Sequence, residues 1–421
     1  MPYFNSPKIL FGSSMLKRLG SELQGLGTKA VLITDRNVAA LSESLVKTLS
    51  DAGWAVTVWD GAEQEPSTEG ALAASKILVE HEPQLVIGFG GGSVIDTAKA
   101  AWILWERPEF NVSELDKSIN PRNRLNLRKK GRFLAVPTTA GTGSEVTWAI
   151  VLTDKVNQRK LGFGNNEIVP DMALLIPEFT TGMPKCLTAS TGMDVLGHAF
   201  DGYTSRQQND FSDGLCLQAI RLTFEYLPKA YADGTDMVAR EKMQNAAAIA
   251  GLGFGNSNTS LSHAQAHAIG ATFHIGHGKA VGLSLAASLE YISSNPPLPN
   301  TPDPTEKLAL IATVLGIRGT KEKAVKKLIQ KVRDLVKEIG EPLNLKEAGV
   351  SKADFDAKLP TLVTLTSKDV SIFSCPCECK EPAIEAMLKA IYEYKGSEEY
   401  DGIMMRRPKD HQTDAVPMQF L

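Results

Sequence analysis

The chain has 421 residues, of which 43% are hydrophobic and 22% are charged, and its formal net charge at pH 7 is −3. These values are typical of a soluble globular protein of about two or three domains, and they argue against a strongly basic nucleic-acid-binding chain. The sequence lacks the features of a signal peptide, and no apolar run approaches the roughly 18 residues of a membrane span. Its five cysteines are odd in number. We therefore expect a cytoplasmic protein with reduced thiols.

The first part of the chain alternates strand-like and helix-like segments. Helices are predicted over residues 37–52, after Ser67 and from Ser93. The predicted strands are AVLITD at 30–35, AVTVWD at 55–60, LVIGFG at 85–90, FLAVPTTA at 133–140 and AIVLTD at 149–154. Such alternation predicts an α/β domain with a doubly wound, mostly parallel, Rossmann-like sheet, which we assign to residues 1–185.

From about residue 186 strand-like runs become scarce, and residues 186–397 are predicted to form an all-α domain. In AVKKLIQKVRDLVKEIG, apolar residues from Val325 to Ile339 recur on one helical face, and Gly340 and Pro342 end the helix. The proline-dense segment at 295–304 is predicted to connect two helices. Residues 398–421 are predicted to be an irregular tail.

A glycine-rich turn follows the third predicted strand. Gly91 and Gly92 lie between that strand and a helix opened by Ser93 and Asp96. Glycines let the backbone approach a pyrophosphate, and the amides at the start of the helix face the anion. The alternative is a tight strand–helix turn without a ligand.

A second loop, PTTAGTGSEVT at 137–147, strengthens the interpretation as a dinucleotide site. It follows an apolar strand and carries five hydroxyl side chains, which are Thr138, Thr139, Thr142, Ser144 and Thr147. Hydroxyls and free backbone amides suit phosphate and ribose, although the loop could also simply cap a helix. Two such loops in one α/β domain favour a dinucleotide.

Asp35 ends the first predicted strand. A carboxylate at this position can accept hydrogen bonds from the adenosine ribose and would repel a 2′-phosphate. From the local sequence alone, an N-cap of the following helix is an equally good interpretation.

Four of the seven histidines lie between residues 263 and 277. Asp194 and His198 are spaced i, i+4 on one helical face, as are His263 and His267, and His277 follows a short turn. One carboxylate and several imidazoles suit Fe(II), Zn(II) or a similar divalent ion. The alternative for any single histidine is an ordinary core or surface residue.

The cysteines offer a competing site. Cys375, Cys377 and Cys379 occupy every second position of SCPCECKEP. Structural zinc sites use a C-x2-C spacing with a second pair, and no second pair is present here. We therefore interpret this segment as a loop.

Four ordered motifs, GGGSVIDTAKA, PTTAGTGSEVT, TGMDVLGHAFDGY and HAQAHAIGATFHIGHGKA, together resemble the iron-containing, or group III, alcohol dehydrogenases over residues 5–395. The resemblance implies NAD, one divalent metal ion (Fe(II) first, with Zn(II) as the alternative), and a site between the two domains. It implies Asp194, His198, His263 and His277 as metal ligands and His267 as a catalytic residue near the substrate. His274 matches no ligand position. For the cofactor it implies Asp35, Gly91, Gly92, Ser93, Asp96, Thr138, Thr139, Thr142 and Lys160.

The chain departs from the family pattern in places that concern the substrate. Trp148 and Ala149 stand where a polar residue is often found, and the cysteine-rich segment near residue 375 replaces an NPR stretch. With Phe254, which lies nine residues before His263, they form a predicted apolar substrate pocket. The alternative is that both aromatic residues belong to the core.

The implied reaction is reversible hydride transfer between a primary alcohol or aldehyde and NAD, in which the metal ion acts as a Lewis acid and His267 passes a proton to solvent. The expected partners are a small alcohol or aldehyde and further copies of the chain, in a dimer or larger homo-oligomer, with no nucleic acid and no membrane. Two alternatives are a dehydroquinate-synthase-like lyase, which would need a pocket rich in Lys, Arg and Asn, and a non-catalytic nucleotide sensor, which would have no need for an open metal site.

Overall fold

The computed structural model describes residues 4–121 and 123–394. The predicted tail at 398–421 lies outside the described residues. The α/β part contains the strands β1 Lys8–Phe11, β2 Lys29–Ile33, β3 Ala55–Trp59, β4 Leu85–Gly90, β5 Arg132–Pro137, β6 Ala149–Asp154, β7 Arg159–Gly164 and β8 Met172–Leu175. Its α-helices are α1 Met15–Glu22, α2 Glu43–Asp51, α3 Thr68–His81, α4 Gly92–Glu106 and α5 Leu115–Ser118.

Six of these strands form a parallel sheet in the order β1-β8-β5-β4-β2-β3. Alternate residues of one strand face different layers. Val86 of β4 packs in the core with α3 and α4, and Ile87 packs in the core with α1 and α2. The predicted doubly wound α/β fold is confirmed.

Two details of the predicted sheet were wrong. Residues 149–154 do form a strand, but β6 pairs antiparallel with β7 in a separate hairpin. The strands β1, β7 and β8 were not predicted, so the glycine-rich turn follows the fourth strand and not the third. β1 and β8 have only four residues each, too few to show a period, and two glycines interrupt the pattern of β7.

The rest of the described chain is helical, as predicted. The helices are α6 Lys185–Thr204, α7 Asp210–Ala232, α8 Met237–Gly255, α9 Leu261–Phe273, α10 His277–Ser294, α11 Pro304–Val314, α12 Lys321–Glu338, α13 Lys352–Lys368 and α14 Glu381–Glu393. The apolar face from Val325 to Ile339 is buried, and the proline-dense segment joins α10 to α11. Among the described helices, none is both long enough and apolar enough to cross a membrane.

Helix α6 lies in the middle of the helical part, and nearly every residue from Thr188 to Thr204 is buried. Two glycines allow its neighbours to approach. A side chain at Gly192 would overlap Leu227 of α7, and one at Gly197 would overlap Val281 of α10. This close packing brings polar side chains of α6 into the protein interior.

Candidate active site

Four predicted metal ligands converge in the helical part. Asp194 and His198 lie one turn apart on α6, His263 lies in the first turn of α9, and His277 is the first residue of α10. Their ligand atoms all lie within 4.8 Å of one another. We call these four residues the Asp–His cluster. Its members come from three helices, so their convergence depends on tertiary packing.

The geometry of the Asp–His cluster fits a single metal ion. The Oδ1 atom of Asp194 lies 3.7 Å from a ring nitrogen of His198, 3.7 Å from His263 and 3.2 Å from His277. Two ligands about 2.1 Å from one ion in a tetrahedral site lie about 3.4 Å apart. Three buried atoms in the cluster have no hydrogen-bond partner: Asp194 Oδ1, His198 Nδ1 and His263 Nε2. Buried polar atoms are rarely left unpaired, so this donor set points to a bound cation.

The electrostatics of the cluster also favour a cation. Burial opposes the charged form of Asp194, but the surrounding histidines outweigh burial and hold its pKa well below the ordinary value. Burial lowers the pKa of His198 to about 3, which leaves a neutral imidazole able to act as a ligand. Burial also disfavours protonated His263, yet the neighbouring carboxylates of Asp194 and Asp201 raise its pKa to about 9. The site therefore attracts positive charge.

Asp201 supports the cluster from α6 and was not predicted. Its Oδ2 lies 2.8 Å from Nδ1 of His263 and accepts backbone N–H groups from Ser260 and His263. A carboxylate on the second ring nitrogen fixes the orientation and tautomer of a ligating histidine. Asp201 lies seven residues after Asp194, on the same helical face, and that spacing could have identified it.

His267 lies beside the cluster but is not one of its four members. Its ring stacks on His277 at a centroid distance of 5.3 Å, and its side chain is 43% exposed. Nδ1 of His267 is 2.9 Å from Oδ2 of Asp369, a residue 102 positions away that the sequence analysis missed. His274 ends α9 in a left-handed conformation and lies outside the cluster.

The two predicted cofactor loops lie side by side. Gly90 of β4 pairs with Pro137 of β5, which brings the carboxyl ends of both strands to one edge of the sheet. A Cβ at Gly92 would lie 2.7 Å from Thr142 Cγ2, and one at Gly91 would lie 3.4 Å from Thr139 Cγ2. Thr138 is buried, and its N–H donates to the carbonyl of Gly90. In open α/β sheets, ligands bind outside the carboxyl ends of such strands.

The second cofactor loop also reaches the Asp–His cluster. A Cβ at Gly141 would lie 2.7 Å from Cβ of Thr191, three residues before Asp194 on α6. Gly143 is in a left-handed conformation and lies against Gly251 of α8. The loop therefore contacts the glycine-rich turn, α8, and α6, which carries Asp194 and His198 of the cluster.

Asp35, Lys160 and Ser93 are also predicted cofactor residues, and each lies in a different part of the α/β region. Ile33 pairs with Gly88, so Asp35 lies near the level of Gly90 at the same edge of the sheet. Oδ1 of Asp35 accepts the N–H of Asn37 at 2.7 Å, and the next helical turn begins after Val38, so the interpretation of Asp35 as a helix N-cap was wrong. Lys160 of β7 is exposed and forms an ion pair with Glu65. Ser93 lies in the first turn of α4.

Asp96 and Lys99 of α4 tie the loops together. Oδ1 of Asp96 accepts from Ser144 Oγ at 2.6 Å, and Oδ2 accepts from Val151 N. Nζ of Lys99 donates to the carbonyl of Thr147 at 2.8 Å and also lies 3.3 Å from both Ser144 Oγ and the carbonyl of Ala149. Lys99 was not predicted as a functional residue, although a lysine in the apolar run AKAAWILW is a visible signal.

Lys99 is fully buried, and its charge is balanced by carboxyl groups nearby. Burial lowers its pKa to about 8, opposed by Asp96 and Glu145. Burial also raises the pKa of Glu145 to about 7. The polar network formed by Lys99, Asp96 and Glu145 therefore holds the second cofactor loop in place, although the burial of these charged groups is itself unfavourable.

Two of the three predicted substrate-pocket residues lie close together near the cluster. The ring of Phe254 stacks on His198 with centroids 4.0 Å apart. Nε1 of Trp148 donates to the carbonyl of Gly255, the residue after Phe254, at 2.6 Å. Ala149 begins β6 and faces Gly164 in the hairpin. Both aromatic side chains are partly exposed, so neither is a fully buried core residue.

Comparison with known proteins gives matches along the chain. The family model of iron-containing alcohol dehydrogenases matches residues 6–177, and the model of the C-terminal part of the Fe-containing alcohol dehydrogenase family matches residues 188–392. A protein named NADPH-dependent butanol dehydrogenase from Clostridium saccharobutylicum is 33% identical over 93% of this chain and 98% of its own.

Solved structures agree with these matches. The crystal structure of a 1,3-propanediol oxidoreductase has a TM-score of 0.84 at 30% identity, over 93% of this chain and 100% of that one. A sulfoacetaldehyde reductase from Bifidobacterium kashiwanohense, solved in complex with NAD+, has a TM-score of 0.81 at 27% identity, over 93% of this chain and 99% of that one.

The buried lysine leads to a prediction about stability. Lys99→Met should lower the free energy of unfolding by roughly 3–5 kcal/mol, because it leaves buried carboxyl groups without their compensating charge. Lys76→Met, at an exposed position of α3, is the matched control and should change stability little. Denaturant unfolding followed by circular dichroism measures both. Equal stability of the two variants would show that the Lys99 network is not needed to hold the loops.

Proposed function

Because the chain belongs to the iron-containing alcohol dehydrogenase family, we propose that it transfers a hydride reversibly between a primary alcohol and NAD at a divalent metal ion held by the Asp–His cluster. Alcohol dehydrogenase activity is the activity of this iron-containing family, and a sulfoacetaldehyde reductase of similar structure was solved in complex with NAD+. The observation that carries the proposal for this chain is the convergence of four ligands with three buried, unpartnered ligand atoms. We propose Fe(II) as the native ion, with Zn(II) as the alternative, because both suit a site of imidazoles and one carboxylate.

The two parts of the chain have different tasks in this proposal. Residues 1–185 would hold the cofactor: Gly91, Gly92 and the amide groups at the start of α4 would bind its pyrophosphate, because the helix dipole favours an anion there. Asp35 would accept a hydrogen bond from the adenosine ribose. The hydroxyl groups of the second loop and Lys160 would contact the rest of the cofactor. Residues 186–397 supply the Asp–His cluster and the alcohol site.

At the reacting end, a divalent ion bound by the cluster supplies Lewis-acid chemistry at the alcohol oxygen. His267 receives the hydroxyl proton: Asp369 holds one of its ring nitrogens, and the partly exposed ring can pass a proton to solvent. Phe254 and Trp148 cover the site and exclude water. The chain's contribution is to place the carbinol carbon and the nicotinamide in contact.

The alternatives from the sequence analysis have less support. The family matches cover both parts of the chain and favour a dehydrogenase over a dehydroquinate-synthase-like lyase. A nucleotide sensor has no use for buried, unpartnered ligand atoms, which are costly to maintain. Alcohol-dependent formation of NADH in the presence of Fe(II) or Zn(II) is the direct test of the proposal.

We also propose that the enzyme is a homo-oligomer. β1 forms one edge of the sheet, and its last residue, Phe11, is 61% exposed. An open edge with an exposed aromatic residue is suited to pairing with another copy.

The first prediction from this proposed function concerns metal binding by His277. His277→Ala should lose bound metal, and kcat/KM should fall by more than roughly 100-fold, the upper range for loss of a residue that only supports a ligand. The fold should persist, because His277 is 42% exposed at the start of a helix. Metal content by mass spectrometry and circular dichroism measure the two effects.

The control for this prediction is His274→Asn, which tolerates the left-handed backbone of that position and lies outside the cluster. It should retain metal and activity. A His277→Ala protein that keeps both its metal and its activity would remove His277 from the ligand set.

The second prediction concerns cofactor choice, for which the named NADPH dependence of one relative is a clear counter-example within the family. Asp35→Gly should shift the ratio of kcat/KM for NADP over NAD upward by about 10- to 100-fold, since a repulsive charge worth about 1–3 kcal/mol is removed. Asp35→Asn is the matched variant, because it keeps an acceptor for the N–H of Asn37 but removes the charge. If the unmodified enzyme already prefers NADP, Asp35 only shapes the turn.

The third prediction concerns the substrate. An apolar site beside Trp148 and Phe254 should gain about 0.8 kcal/mol, or roughly fourfold in kcat/KM, for each CH2 group that it buries. Primary alcohols of several carbons should therefore exceed 1,2-propanediol and glycerol. The measurement is kcat/KM from ethanol to hexanol with both polyols alongside.

Two variants of Trp148 separate the contribution of its apolar surface from that of its hydrogen bond to the carbonyl of Gly255. Trp148→Ala should flatten the dependence on chain length, whereas Trp148→Phe should keep most of it, because Phe retains an aromatic surface but not the hydrogen bond to Gly255. One structural neighbour is named as a 1,3-propanediol oxidoreductase. A higher kcat/KM for diols than for primary alcohols of several carbons would contradict the proposed apolar substrate pocket.

A further inference from the structure

Cys375 and Cys379 form a dithiol pair that is not part of the Asp–His cluster. Their Sγ atoms are 3.4 Å apart, Cys375 is buried, and Cys379 is partly exposed. Both lie outside regular secondary structure, between the 3-10 helix Val370–Ser374 and α14. Neither the cofactor loops nor the proposed hydride transfer uses these thiols.

The other cysteines are not available to either member of this pair. Cys377 lies between them in sequence, but its Sγ lies 3.6 Å and 3.5 Å from the carbonyl oxygens of Ile292 and Asn295. Cys216 is buried beside Gly202 and Gly253, and Cys186 is exposed in the first turn of α6. All five cysteines of the chain lie in the described residues, and the contact between Cys375 and Cys379 is the sulfur–sulfur contact among them.

We propose that Cys375 and Cys379 are a modification site that forms a reversible intramolecular disulfide by exchange with a low-molecular-weight disulfide such as oxidised glutathione. A disulfide needs its sulfur atoms about 2.0 Å apart, so the gap must close by about 1.4 Å. No helix or strand has to break for this movement. The bridge between Pro297 and Cys377, together with the hydrogen bond from Leu298 N to the carbonyl of Pro376, holds the intervening residues in place.

The exchange balances without any other oxidant. The thiolate of one cysteine attacks a sulfur of oxidised glutathione, forms a mixed disulfide and releases one glutathione thiolate. The second cysteine then attacks the protein sulfur of the mixed disulfide and releases the second glutathione. Two protein thiols are oxidised, one glutathione disulfide is reduced, and the two protons end on the two glutathione thiols.

The surroundings make this exchange slow at neutral pH. The hydrogen bond with Cys375, burial and the nearby thiols of Cys375 and Cys377 raise the pKa of the Cys379 thiol above its ordinary value, and a hydrogen bond with Tyr291 of α10 only partly opposes this rise. Since the thiolate is the attacking species, the rate of oxidation should increase as the pH is raised from 7 to 9. The pair is therefore protected from rapid oxidation yet able to equilibrate with a thiol–disulfide buffer.

The sequence provides a direct assay. Trypsin cleavage after Lys368 and Lys380 yields the peptide DVSIFSCPCECK, which contains all three cysteines of the segment. The full-length enzyme is incubated at pH 8 without oxygen in buffers with increasing ratios of oxidised to reduced glutathione, quenched with acid, alkylated and digested without reduction. We expect this peptide to change from three alkylated cysteines to one, with Cys377 carrying the label, and dithiothreitol to restore three.

Substitutions make the assignment specific. Cys377→Ser should still form the bond, whereas Cys375→Ser and Cys379→Ser should leave every remaining thiol of the peptide open to alkylation. Melting temperatures of the reduced variants show whether each one folds, and Cys186→Ser, which changes an exposed thiol, is the control. Three alkylated cysteines at every glutathione ratio, a bond that includes Cys377, or a stable glutathione adduct in place of the bond would each overturn the proposal.

Discussion

The buried carboxylate of Asp194 is the constraint on which the helical half of the molecule depends. A carboxylate with almost no exposure to water is unfavourable unless opposite charge or hydrogen-bond donors surround it. Here the compensation comes from imidazoles of α6, α9 and α10, so those helices must approach one another closely. Gly197 permits that approach, because a Cβ at this position would overlap Val281 of α10 and would lie 3.4 Å from the ring of His263 on α9. Because ligand convergence and helix packing require each other, part of the free energy of metal binding would also stabilise this fold.

The α/β half has its own buried charge, and it serves a different purpose. Lys99 and Asp96 project from one helix and bind the loop and hairpin that follow β5, so the glycine-rich turn and the second loop cannot move independently. That second loop also lies against α6 beside Thr191. Hydride transfer needs its reactants placed to within a fraction of an ångström, and these contacts connect the cofactor side to the metal side through rigid backbone.

Sequence reasoning recovered those features whose signal is local. The i, i+4 spacing of Asp194 and His198 places both on one helical face, and the glycine-rich turn is visible because a strand, glycines and a helix follow one another. The partners of the supporting residues are distant in sequence and could not be predicted: Asp369 meets His267 only after α13 folds over α9, and the three acceptors of Lys99 lie 45 to 50 positions away, although the lysine itself stands out in an apolar run. β6 shows the same limit, since its apolar, β-branched residues predict a strand but do not specify which neighbour it pairs with. The membership of His277 in the ligand set rested on family resemblance rather than on spacing.

The position of β1 at the sheet edge has a consequence for how the protein is made. β1 pairs with β8 alone, and residues 8–11 lie opposite residues 172–175. During translation at roughly 5–20 residues per second, the first strand leaves the ribosome about 10–30 seconds before its partner is synthesised. Throughout that interval its main-chain groups and apolar side chains, including Leu10, have no neighbour to cover them. The six-stranded sheet can therefore be completed only after about residue 175 has been synthesised, and β1 is the strand that waits longest for its partner.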